Sequence, residues 1–199
     1  MSTARRERWE NLTFGQDDRE SRKRLRELIL FIAERCLNDP TFGAVKLNKI
    51  LFFADFISFA RYGEPITGTS YGKLPLGPVP TAARAVRAEM EAADEIFMVM
   101  EGYNPSPRHR LIARREADLG GFKPRDIVLI DGIIETLHGV SGSAVSEVSH
   151  DRAWESVEDY EMIPYEAAYI SGEPLTERDL TVAFEMVAEY EEYEREQDR

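Results

Sequence analysis

The stretch Ala44-Val-Lys-Leu-Asn-Lys-Ile-Leu-Phe-Phe-Ala-Asp-Phe-Ile-Ser-Phe-Ala-Arg61 decides how this chain folds. Val45, Leu47, Ile50, Leu51, Phe52, Phe53, Ala54, Phe56, Ile57 and Phe59 leave it almost no polar face at helical spacing. A helix apolar on nearly every side is a central one, packed by neighbours all round. Asp55 in its middle must therefore be hydrogen-bonded or paired, because an unpaired buried charge is strongly destabilising. Lys46, Asn48 and Lys49 can reach the helix ends or the loop that follows.

Upstream, Leu25, Leu28, Ile29, Ile32 and Cys36 recur at helical spacing from residue 22, and Asn38-Asp39-Pro40 stops that helix. Residues 1–21 mix Arg, Glu, Asp and Gln and read as a charged arm, with Trp9, Leu12 and Phe14 as docking points. Downstream, the glycines and prolines of 63–80 predict an irregular loop with a short strand around 66–74. A helix is expected over 80–94 with Pro80 in its first turn. Residues 95–101 and 108–114 read as a β-hairpin closed by the turn 102–107. A helix follows Pro124, with Ile127, Ile130, Ile134 and Leu137 on one face, and ends at Gly139. Ser141 or Ser143 should cap a short helix reaching His150, and 164–169 forms a further helical turn. The last helix starts at Thr176-x-x-Asp179, a capping-box-like signal. The expected fold is α+β and mainly helical, over 22–172, with a small hairpin, a Gly/Pro-rich loop and an acidic terminal helix over 173–199.

Composition narrows function. Of 199 residues 43% are hydrophobic and 31% charged, the balance of a globular chain rather than a disordered one. Lys and Arg number 25 against 37 Asp and Glu, a net charge of −12. That charge disfavours direct neutralisation of nucleic-acid phosphates and suits a basic protein partner. Ten acids against three arginines over 173–199 concentrate −7 in the tail, interleaved with Phe184, Val187, Tyr190 and Tyr193. The single cysteine, Cys36, excludes an internal disulfide and a multi-cysteine zinc site. The apolar run 50–60, broken by Asp55, is too short to span a bilayer, and no apolar leader opens the chain. A reduced, cytoplasmic setting is expected.

Catalytic motifs do not assemble. Gly68-Thr-Ser-Tyr-Gly72-Lys73 has three residues between its glycines where a phosphate loop needs four, and Leu74 stands where a magnesium-binding hydroxyl is required. It reads as strand and turn. His109, His138 and His150 lack metal-ligand spacing. His150 and Trp154 are four apart, so they share one face if the helix continues. Asp131 and Glu135 read as a solvated helix face, and Cys36 as an inert buried thiol. Neither a metal nor a cofactor is implied.

One ordered string stands out: Lys46-Leu-Asn-Lys-Ile-Leu-Phe-Phe-Ala-Asp55, Gly63-Glu-Pro-Ile-Thr-Gly68, Tyr71, Lys73, Gly77-Pro78-Val79-Pro80, then Ser149-His150 and Trp154. It resembles the Panacea domain family, which includes SocA-type antitoxins and phage-associated proteins, over roughly 24–171. The resemblance implies an antitoxin that neutralises a co-encoded toxin by direct binding. One class of relatives acts instead as an adaptor delivering the toxin to a ClpXP-type protease. Either role is recognition without turnover. Nucleic acid would then be met only through the toxin. The acidic tail, with Phe184, Val187, Tyr190 and Tyr193, suits covering a basic cleft on such a toxin. Three other readings are a hydrolase using Asp131, His150 or Glu147, a DNA-binding autoregulator, for which no helix-turn-helix module is visible, and phage-related partner binding without any toxin.

Overall fold

The computed structural model describes residues 19–101, 108–150 and 152–170. Helix α1 (Arg19–Arg35) begins three residues before the start expected at residue 22. It is buried beyond the predicted stripe, since Leu30, Phe31 and Ala33 are also enclosed. Helix α2 (Ala44–Tyr62) ends at Gly63, whose φ of 71° is the left-handed geometry glycine adopts without a Cβ penalty. Around α2 pack α1, the helices α4 (Pro124–Leu137) and α5 (Gly142–Val148), strand β2 (Gly77–Pro80), strand β4 (Arg108–Ala113) and a 3-10 turn at Tyr165–Tyr169. Its apolar surround is thus answered on most sides, with Phe53 and Ile57 left partly open. Leu47, Ile50, Leu51 and Ala54 are fully enclosed, and truncating any of the larger three to Ala would cost about 2–5 kcal/mol.

The Gly/Pro-rich segment corrects the sequence expectation. Strand β1 (Tyr71–Leu74) pairs antiparallel with β2, in the register Tyr71↔Pro80 to Leu74↔Gly77. Gly77-Pro78-Val79-Pro80 is therefore a strand, not a loop. The two prolines are tolerated because β2 is an edge, where a missing N–H breaks no ladder. Pro80 closes that strand instead of opening the next helix, so α3 starts later, at Ala83, and runs to Ala92. A two-residue strand, β5 (Met162–Ile163), occupies the other edge of β1 and completes the order β2-β1-β5.

The remaining elements follow expectation. Strand β3 (Ile96–Glu101) pairs with β4, from Ile96↔Ala113 to Glu101↔Arg108. The turn 102–107 lies outside the described residues. Pro124 opens α4 at its first position, and Ser141 Oγ caps α5 by accepting from the Ala144 N–H at 3.2 Å. A 3-10 turn (Leu119–Gly121) leads into α4, and the single-turn helix α6 (Arg152–Glu155) follows α5. The fold is α+β and predominantly helical. The arm 1–18 and the tail 171–199, with its predicted acidic helix, lie outside the described residues.

Two apolar clusters share α2. The larger joins α1, α2, α3, α4 and the β3–β4 hairpin. The smaller is aromatic: Phe52, Phe56 and Tyr71 with Ile163, Trp154 and Tyr165 around them. There the Phe56 and Tyr71 rings meet edge-on, with centroids 5.5 Å apart at 84°. Ion pairs bind the rim, where Arg115 joins Glu27 (2.7 Å) to Glu95 (3.0 Å) and Glu95 takes Arg26 at 2.6 Å.

Candidate functional site

The family-type residues named from sequence do not meet in one pocket. They form separate polar nodes, three of which tie a loop or strand to α2 while the fourth lies across β1. At the amino end, Lys46 Nζ donates to Asp39 Oδ2 at 2.5 Å and to Thr41 Oγ1 at 2.7 Å, both charged groups being almost fully buried. Asp39 Oδ1 accepts from Thr41 N and Oγ1 and, at 3.3 Å, from the Gly139 N–H beyond α4. Burial opposes the Asp39 charge, but the hydrogen bonds from Lys46 and Thr41 prevail and hold its pKa down at about 2. Around it, Arg110 donates to the carbonyls of Cys36, Leu37 and Asp39, covering the acceptors left open at the end of α1. Neither Asp39 nor Arg110 was named as a site residue. Asp39 was read only as a helix stop, and its signal was a carboxylate seven residues before a lysine bound for the core.

One turn further, Lys49 is buried, and its Nζ donates to the Pro78 carbonyl at 3.1 Å. Burial pushes its pKa down to about 8, and no carboxylate is paired with it among the described residues. Gly77 has φ 96°, and a Cβ there would collide with Lys49 Nζ and lie 2.7 Å from Ser149 Oγ. Close approach explains the glycine. Val79 is half-buried opposite Gly72, and the Asn48 side-chain oxygen is buried with no partner among the described residues.

In the middle of α2, Asp55 is fully buried, as its sequence position required. Its carboxylate accepts from Thr67 N (2.6 Å), Thr67 Oγ1 (2.5 Å) and the Tyr71 hydroxyl (2.8 Å). Desolvation outweighs these donors, and the pKa of Asp55 is raised. Thr67, which sequence reading does not name, supplies two of these bonds, and the Ile66 backbone N–H assists them.

The last node lies across β1. Lys73 Nζ sits 4.0 Å from the Trp154 ring centroid and donates to the Val157 carbonyl at 2.8 Å. His150 stacks on the same indole, with centroids 4.0 Å apart at 16°. The imidazole–indole pair inferred from spacing is therefore real, and it makes Lys73 a packing residue in a strand rather than a phosphate ligand.

Two open clefts lie close to these nodes and to α2 among the described residues. One, of about 720 Å³, is lined by Lys46, Leu76, Arg108, His109, Glu147 and His150 among others. Glu147 and His150 thus share a cleft, but Asp131 pairs with Arg35 at 2.9 Å instead of joining them, so the three groups of the hydrolase reading do not converge. The second, of about 700 Å³, is an apolar groove between α2 and α4, walled by Phe53, Ile57, Val128, Leu129 and Ile133 with Arg61, Tyr62 and Arg125 at one mouth. Sequence reading missed it because Val128 and Leu129 fall outside the stripe that packs α4 inward. Among the described residues no three His, Cys, Asp or Glu side chains group as a metal would need, and no helix is long and apolar enough to cross a membrane. Cys36 is buried, and burial pushes its thiol up to about 12, too high for a ready nucleophile. The tail residues Phe184, Val187, Tyr190 and Tyr193 lie outside the described residues.

Most of these nodes lie in the span from α2 to α6 that a protein-family model recognises, although Asp39, Thr41 and Lys46 precede it. The model for the SocA-like antitoxin, Panacea domain, matches residues 47–155. The chain belongs to the SocA-like Panacea family. No curated protein and no solved structure matches it. In this Panacea domain the matched segment starts at Leu47, the first core residue after Lys46, and closes on Glu155, one residue past Trp154. It leaves out α1, β5 and the second 3-10 turn, which nevertheless complete both apolar clusters. At the level of the family, the chain is antitoxin-like.

Proposed function

We propose that this Panacea domain is the antitoxin of a toxin–antitoxin pair and neutralises a co-encoded toxin by direct protein–protein binding, without catalysis. The observation that carries the reading is the family match over 47–155, a segment that, with Lys46 just before it, uses its polar motif residues inward. Lys46, Lys49, Asp55, Tyr71 and Lys73 each hold a loop or strand to the core, which leaves recognition to the exterior. A net charge of −12 favours a basic partner, whose encounter it would accelerate. The acidic tail, with Tyr190 and Tyr193 at its more charged end, offers such a partner the strongest field.

The test is co-expression with the product of the adjacent open reading frame. Expected are growth arrest by that product alone, rescue by this chain, and a stoichiometric complex on co-purification. Rescue that vanishes in a host lacking the ClpXP protease, with toxin levels unchanged there, would identify delivery for degradation instead. Persistent toxicity with no complex would overturn the proposal.

A further inference from the structure

Two residues on the outer face of α4 run against what a solitary helix would choose. Val128 is 72% exposed, an apolar, β-branched side chain that is neither buried nor suited to an open helix position. Leu37, Leu76 and Met100 are exposed on other elements, so exposure alone does not single it out. One turn on, Gly132 is exposed in the helix interior, where glycine is destabilising. A Cβ there would meet no atom within 4 Å, so nothing inside the described chain requires the glycine. With Arg125 and Glu135, both exposed, these residues form one row at spacings of three, four and three, the repeat by which helices pair.

We propose that two copies of this chain associate through α4, antiparallel, about a two-fold axis passing Ile130. In that register Val128 faces Gly132 of the second copy and Arg125 faces its Glu135, and the symmetry repeats each contact. The valine fills the gap beside the glycine, and the glycine lets the two helices approach closely. Charge fixes the direction, since a parallel pair would set Glu135 against Glu135 and Arg125 against Arg125. Glu135 has no ion-pair partner among the described residues. At the other end of the row, Arg61, Lys123 and Arg125 meet two carboxylates, Glu64 and the inward-turned Asp126, which leaves a surplus positive charge. Asp131, on the flank of the row, is taken by Arg35 at 2.9 Å. The row spans about 15 Å, so its contact falls short of the roughly 800 Å² per partner of a standard interface. A charge of −12 on each copy opposes it further, and the dimer is weak and reversible. This inference concerns the chain alone and does not depend on the toxin reading.

The experiment is sedimentation equilibrium of the full-length protein from about 1 μM to about 1 mM, at about 0.15 M salt to screen the repulsion. A reversible monomer–dimer equilibrium is expected. Arg125→Glu and Glu135→Arg should each weaken it by about tenfold or more, and the double variant should return it to within about threefold of the wild type. The double variant keeps the net charge, and Glu135→Arg alone lowers the repulsion between copies, so neither effect can come from overall charge. Gly132→Lys should abolish the dimer while raising the thermal midpoint of the monomer by about 2–4 °C, as loss of a helix-interior glycine does. A monomer at every concentration would overturn the proposal, as would a dimer indifferent to both single charge changes. Dissociation by the single variants without recovery in the double would overturn the antiparallel register. A monomeric protein whose toxin complex is lost on Val128→Asp would assign this face to that partner instead.

Discussion

The Tyr71 hydroxyl donates to Asp55 Oδ2 across 2.8 Å, so the first residue of β1 is bonded to the middle of the central helix. With the two bonds from Thr67, every donor at that carboxylate comes from the segment that follows α2. Asp55 is thus the point at which the Gly/Pro-rich segment is tied to the core.

Removing Asp55 should be expensive in a graded way. Asp55→Ala strands the Thr67 amide and two hydroxyls in a dry site and should lower stability by about 3 kcal/mol or more. Tyr71→Phe removes one of several donors and should cost about 1–2 kcal/mol. Because the Asp55 pKa is raised in the fold, its contribution is greatest below the unfolded carboxylate value and declines as pH rises through the folded one. Asp55→Asn should therefore weaken that decline. Urea unfolding of the three variants between pH 4 and pH 8 checks both statements.

The Asp39–Lys46 pair has the opposite pH sign. The Asp39 pKa falls from 3.8 to about 2 on folding, so its contribution is complete above 3.8 and is lost as pH falls through 2. That shift corresponds to about 2 kcal/mol. Asp39→Asn leaves Lys46 buried without its counter-ion and should cost about 3–5 kcal/mol at pH 6. The gap to the wild type should narrow by about 2 kcal/mol at pH 2, which denaturation midpoints at the two pH values would show.

Lys49 is held charged at neutral pH against its burial. Its folded pKa of about 8 lies below the ordinary 10.5, so the wild type gains stability as pH rises between those values. Lys49→Met should be at least as stable as the wild type at pH 7, by about 1 kcal/mol, and should lose that advantage by pH 10. A variant less stable by the same amount at both pH values would show that the bond to the Pro78 carbonyl outweighs desolvation.

Cys36 should be silent to thiol reagents in the native protein. With the thiol buried and pushed up to about 12, iodoacetamide at pH 8 should label it at least a hundredfold more slowly than in urea. Mass spectrometry of timed samples measures this directly.

What the sequence made legible follows from how local each signal is. Helix α2, the β3–β4 hairpin, Pro124 at the start of α4 and the Ser141 cap are written in neighbouring residues, and all appear as expected. The need for a partner to Asp55 was equally plain, but its identity was not, since Thr67 is reached only once the chain has turned back. Strand β2 escaped because two prolines argue for a loop until its place at a sheet edge is known. Strand β5 is two residues long and exists only through β1. Asp39 was hidden by a stronger local message, the Pro40 that ends α1. The groove depends on how two helices lie side by side, which periodicity along either one does not encode.

The deep burial of most of α2 bears on how partner choice can be engineered. A randomised library directed at the buried positions of 44–62 would mostly sample unfolded chains, because those side chains already bear on neighbours. Diversity placed at exposed Leu76 and Val128, and at the exposed His109, would alter what the molecule presents while its scaffold stays intact.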